Sequence, residues 1–145
     1  MSPAAEAGFE LAPQLAADTA PVTDLALCRV LLMNDRRFPW LILVPRRAGK
    51  RDLDDLAAAD QAQATIEASQ AARALKALVS PHKMNVAALG NMVSQLHIHV
   101  IARQTIDAAW PKPVWGVGTA EPYAAAERDD WIQRVRRELQ RSATS

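Results

Sequence analysis

The chain has 145 residues, half of them hydrophobic, with 17 Lys and Arg against 16 Asp and Glu and a formal charge of +1. That length fits one domain with a sizeable core. The near balance of charge argues against a non-specific nucleic-acid or membrane-surface binder, which needs a strong basic excess.

In chain order, residues 1–20 are rich in alanine, with Pro3 and Pro13. Glu6 and Glu10, and the lack of a basic start or a long apolar run, argue against a signal peptide. Phe9, Leu11 and Leu15 are expected to pack a short strand or helical turn onto the body. Residues 22–33 read as one strand, Asn34 to Arg37 as a turn and Phe38 to Val44 as the return strand. The continuous apolar character of this hairpin implies that both its faces are covered. Cys28 lies within it and reads as an inert buried thiol; a lone cysteine excludes an intramolecular disulfide and fits a reducing compartment.

Asp52, Asp54 and Asp55 suit a helix start, and a long alanine-rich helix is expected from about Ala57 to Val79, ended by Ser80-Pro81. A strand over 84–89, a turn at Gly90-Asn91 and a strand over 93–102 form a second antiparallel hairpin. Prolines 111 and 113 exclude a regular helix, so 105–118 reads as an extended loop anchored by Trp110 and Trp115. An amphipathic helix follows from Glu121 to Gln140. Hairpins interleaved with helices imply an α+β fold, an antiparallel sheet with helices packed on it. No stretch reaches the ~18 continuous apolar residues of a membrane span, and the chain is expected to be soluble and cytoplasmic.

The most informative stretch is Gln95-Leu96-His97-Ile98-His99-Val100-Ile101, which holds two of the three histidines. Read as a strand, it puts Gln95, His97 and His99 on one face and Leu96, Ile98 and Val100 on the other. The residues leave three readings open. The histidines can be a hydrogen-bonded structural pair. They can chelate a transition metal, which needs further ligands that are not close in sequence, His82 lying in what reads as an exposed turn. Or one imidazole can attack phosphorus to give a covalent intermediate while the second manages charge and protons.

The run Gly90-x-x-Val93-x-Gln95-Leu96-His97-Ile98-His99-Val100-Ile101-Ala102-Arg103 resembles the signature of the histidine triad (HIT) superfamily. Leu31 to Asn34, then Pro39 to Arg46, is similar to that family's first hairpin, and Asp52 to Leu56 to its acidic segment before the long helix. The resemblance spans about 22–104. It implies one domain over 1–145, with a HIT-like antiparallel sheet of about five strands, a long helix, and a C-terminal loop and helix over 105–145. It also implies a homodimer that binds a small-molecule nucleotide and cleaves or transfers at the α-phosphate of dinucleoside polyphosphates or nucleoside phosphoramidates. His97 takes the place of the nucleophile and His99 that of the last triad histidine near the phosphates, with Asn34 near the ribose. Asn85 and Asn91 are further candidates for ribose or phosphate contacts, and Arg103, on the strand face of His99, for a phosphate. No metal or cofactor is required, magnesium entering only with a polyphosphate substrate. The sequence departs from the pattern at Gln95, in place of the first triad histidine, and at Trp40, near where many relatives carry a supporting histidine. Gln95 is expected to hydrogen-bond the phosphate or leaving group. The competing classes are a non-catalytic nucleotide-binding module and a metal-dependent His-x-His enzyme.

Overall fold

In the computed structural model, which describes residues 5–143, five strands build one antiparallel sheet. They are β1 (Thr19–Asp24), β2 (Cys28–Met33), β3 (Trp40–Pro45), β4 (Lys83–Ala87) and β5 (Ile98–Arg103), in the spatial order β1-β2-β3-β5-β4. Three α-helices accompany them, α1 (Pro13–Asp18), α2 (Ala58–Val79) and α3 (Ala125–Ala143), and Leu53–Asp55 forms a separate 3-10 turn before α2. This is the expected α+β architecture. Among the described residues no helix is long and apolar enough to cross a membrane.

The two faces of the sheet are covered differently. On one, Val30, Leu32, Leu41, Leu43, Ile98, Val100 and Ala102 pack against α2 and α3. The contact residues of α2 are Ala64, Ala68, Ala71 and Ala74, recurring every three or four positions. Their small side chains let the helix lie close to the sheet, with Leu75, Val135 and Leu139 filling the space beside them. On the other face Leu31, Trp40, Ile42, Val44 and Ile101 are covered by Phe38, by Leu15 of α1, and by Ala109 and Val114 of the 105–118 loop. Every residue of β3 is buried, as its unbroken apolar run implies.

Three expectations are corrected. The stretch 22–33 is two strands, β1 and β2, which turn back on each other at residues 25–27. No glycine, asparagine or proline marks this turn. Its polar backbone is satisfied instead by side chains from far along the chain. Glu67 of α2 accepts the Leu27 and Cys28 N–H groups at 2.8 and 2.7 Å, and Arg46 donates to the Leu25, Ala26 and Leu27 carbonyls. The strand expected over 93–102 begins only at Ile98, and residues 88–97 form a loop. The C-terminal helix starts at Ala125 rather than Glu121, because the Glu121 and Tyr123 N–H groups bond to Asp35 and Asn34 instead. The helix over 58–79 is as expected, closed by Ser80 in the left-handed conformation.

Candidate active site

β5 lies between β3 and β4 and places His99 opposite Ile42 on one side and Ala87 on the other. His99, Ile101 and Arg103 alternate onto the face away from α2 and α3, so His99 meets Trp40 and Trp115 there. His97, one residue before the strand, stands beside it with the ring centres 4.8 Å apart. Both histidines are buried.

Their hydrogen bonds fix their tautomers. The Trp40 indole N–H can only donate, and it meets His99 Nδ1 at 3.1 Å. A carbonyl can only accept, and that of Leu89 lies 2.9 Å from His99 Nε2. His99 is therefore the Nε2–H tautomer, with both nitrogens engaged. Burial drives its pKa down from 6.5 to about 4, against the pull of the Leu89 carbonyl, so it is neutral at neutral pH. In His97 it is Nδ1 that faces a carbonyl, that of Gln95 at 2.6 Å. Its proton sits on Nδ1, and Nε2 carries the lone pair. No buried side-chain polar atom among the described residues lacks a partner, yet Nε2 has none, so it is open to the adjoining cavity.

That cavity, of about 380 Å³, is walled by Leu15 and Asp18 of the N-terminal segment, by Met33, Ile42 and Trp115, and by the Leu89–Val93 loop. At Gly90 any Cβ would lie 2.6 Å from the Val93 carbonyl and 3.3 Å from His97 Cε1, so only glycine lets the loop fold over the ring. Trp115, Met33 and Asp18 also border a second cavity of similar size, lined by Asn34, Asp35, Arg37, Trp40 and residues 114–118. In its wall burial resists the charge of Asp35, but Arg37 at 2.8 Å and the Arg37 and Glu121 N–H groups hold the carboxyl below its usual range.

A model of the HIT domain family matches residues 14–106. Among solved structures, histidine triad proteins from Sinorhizobium meliloti and Bradyrhizobium japonicum are each 46% identical, with TM-scores of 0.88. These matches cover 90% of this chain and 97% and 98% of theirs. A histidine triad protein from Marinobacter aquaeolei is 43% identical with a TM-score of 0.89, over 92% of this chain and 97% of that one. No curated protein matches. The chain belongs to the histidine triad family.

Within this HIT protein the residues singled out in the sequence separate into two groups. His97, His99 and Asn91 border the first cavity and Asn34 the second, where its Oδ1 also accepts the Tyr123 N–H. The other three are engaged elsewhere. Gln95 does not share a strand face with the histidines; its side-chain amide bonds the backbone of Glu10 and Ala12. The groups expected to meet a phosphate or leaving group are thus already taken. Arg103 is buried in an ion pair with Asp107 at 2.8 Å, bonds Asn85 Oδ1 and stacks near Phe38 and Trp110. It and Asn85 tie the 105–118 loop to β4 and β5. Trp110 faces His82 and Arg103, and only Trp115 of the loop's two tryptophans borders the cavities. Among the described residues no three His, Cys, Asp or Glu cluster as a metal site would need. Leu15 packs onto the body from a helical turn as expected, but the sequence did not place it at the site, and it did not single out Asp18 or the Leu89 carbonyl, which carry no local signal.

Proposed function

We propose that the protein is a nucleotide-binding hydrolase or transferase that cleaves at the α-phosphate through a nucleotidyl-His97 intermediate. The supporting observation is the tautomer of His97. Its Nδ1–H is held by a backbone carbonyl, so the Nε2 lone pair faces the cavity, as an imidazole nucleophile requires. In the first step the Nε2–phosphorus bond forms as the bond to the leaving group breaks, and the leaving group departs with the bonding electrons. In the second, water attacks phosphorus, the N–P bond breaks, and a nucleoside monophosphate is released with His97 restored. The positive charge that His97 gains is shared through Nδ1–H with the Gln95 carbonyl.

His99 is the neutral neighbour of this nucleophile. With both nitrogens bonded it supports the ring packing and the Leu89 end of the cavity, and a leaving group takes its proton from solvent. Asn34, in the second cavity beside Trp115, is suited to a ribose hydroxyl, and Asn91 on the rim to a phosphate oxygen. Dinucleoside polyphosphates and nucleoside phosphoramidates are the substrate types, and the protein acts as a cytoplasmic homodimer.

The test is AMP release from adenosine 5′-phosphoramidate and from diadenosine polyphosphates, beside the His97→Asn variant. The variant should lose turnover by a factor on the order of 10³ or more while its far-ultraviolet circular dichroism stays that of the native fold. Turnover unchanged in the variant removes His97 as nucleophile. Nucleotide affinity without release in the native protein gives the alternative, a binding module on the same fold.

A further inference from the structure

Gln95 stands where the family signature has its first histidine, and its side chain is turned away from the cavity. Its Oε1 accepts the Ala12 N–H at 2.8 Å and its Nε2 donates to the Glu10 carbonyl at 2.8 Å. Those two groups lie two residues apart in the chain and both reach the one amide, the spacing at which a neighbouring strand would offer its own backbone groups. A glutamine amide reproduces that pairing, because its oxygen and nitrogen project side by side. A neutral imidazole also has one donor and one acceptor, but they diverge across the ring, so it cannot serve both groups at once.

This clamp supplies the polar tether of a segment that is otherwise held by the apolar packing of Phe9, Leu11, Ala12 and Leu15. Among the described residues, no other hydrogen bond joins residues 10–17 to the body beyond Thr19. Ala12 is the residue that caps α1, and one turn later Leu15, 4% exposed, forms the cavity wall beside His97, with Asp18 at the mouth. The backbone carbonyl of the same Gln95 receives the His97 Nδ1 proton. One residue thus fixes both the nucleophile's orientation and the wall facing it.

We infer that Gln95 is a positioning residue that clamps the Glu10–Ala12 segment, so that α1 stands as a fixed wall of the substrate cavity. The inference deepens the function proposed above and rests on it for its kinetic arm alone. Gln95 acts through α1 on substrate affinity, and it takes no part in moving protons at the reacting atoms.

Two measurements on Gln95→Ala, Gln95→His and Gln95→Glu test this. The first is amide hydrogen exchange without substrate. Losing the clamp should speed exchange over residues 9–18 by about tenfold, with the central sheet unchanged. Glutamate, which keeps the acceptor and loses the donor, should fall between glutamine and alanine. The second is kinetic. For AMP release, KM should rise about five- to tenfold in Gln95→Ala, with kcat within about twofold and the pH profile unmoved. Restoring the family histidine should not restore KM. Leu15→Ala should raise KM by itself, and adding Gln95→Ala to it should raise KM less than the product of the two. Unchanged exchange at 9–18 in a folded Gln95→Ala or Gln95→Glu protein overturns the clamp. A fall in kcat with a shifted pH profile and an unchanged KM overturns positioning in favour of direct contact with the reacting atoms. Should even the native protein release no AMP, the proposed chemistry fails by itself. The exchange arm and the affinity for AMP then decide the clamp.

Discussion

At the scale of single residues, the pair Trp40 and His99 shows how a substitution can leave a site ordered. An indole N–H donates only, so Trp40 holds the lone pair of His99 in one direction and leaves the imidazole no choice of tautomer. Trp40→Phe keeps the ring and removes the donor. It strands a buried acceptor, and should lower stability by about 1–3 kcal/mol in urea unfolding. His99 also makes stability depend on acid. Burial holds its pKa at about 4 against an ordinary 6.5, so between these values the unfolded chain binds more protons than the folded one. Its contribution is complete above about pH 6.5 and is lost as the pH falls towards 4, up to about 3 kcal/mol in all. Urea midpoints measured across that window should fall on acidification, and less steeply in His99→Asn; parallel profiles would show that His99 is not the group responsible.

At the scale of elements, the 105–118 loop keeps its shape through one carboxylate. Asp107 accepts from the Arg103 guanidinium at 2.8 and 3.0 Å and from the Gln104, Ala109 and Trp110 N–H groups. Burial opposes its charge, but these donors together hold its pKa at about 2. Asp107→Ala would leave the buried Arg103 without its counter-charge, and should cost about 3–5 kcal/mol by urea denaturation. None of this showed in the sequence, where Arg103 read as a phosphate contact because its alternation with His99 was visible and its partner was not. The same reason separates the legible elements from the rest. The helix over 58–79 and the strand β3 were plain, since each announces itself by composition and local period. The turn between β1 and β2 was invisible, because Glu67 and Arg46 satisfy it from outside the local sequence. The alternation of Gln95, Leu96 and His97 matched a strand, yet the Leu96 N–H bonds the Lys50 carbonyl, away from the sheet. His97 and His99 could be picked out by spacing alone, whereas Leu15 and Asp18 reach them only through tertiary folding.

At the scale of the molecule, the sheet divides the protein into a helical side that carries most of the core and a looped side that carries the cavities. Cys28 belongs to the helical side. Burial, with the Glu67 carboxylate close by, pushes its thiol far above the usual range. A thiolate-selective reagent should therefore not label the native protein, and labelling should follow the unfolding curve; fast labelling under native conditions would place Cys28 in an accessible setting. The two sides also divide the work. Substitutions among the α2 alanines act on stability, while those in the N-terminal segment and the 105–118 loop also reach the cavities.

The packing of Trp40 and Trp115 against His99 has a practical consequence. Trp115 borders both cavities, so a molecule entering either one touches an indole already in contact with an imidazole. The emission of that indole depends on its polar neighbours, and changes when one is displaced or when water is expelled. Trp110 and Trp131 lie outside both cavities and contribute a constant background. Trp40 lines only the second cavity, so the protein carries its own optical probes, and a nucleotide titration can be followed without attaching a dye, Trp115→Phe separating the signal of Trp115 from that of Trp40.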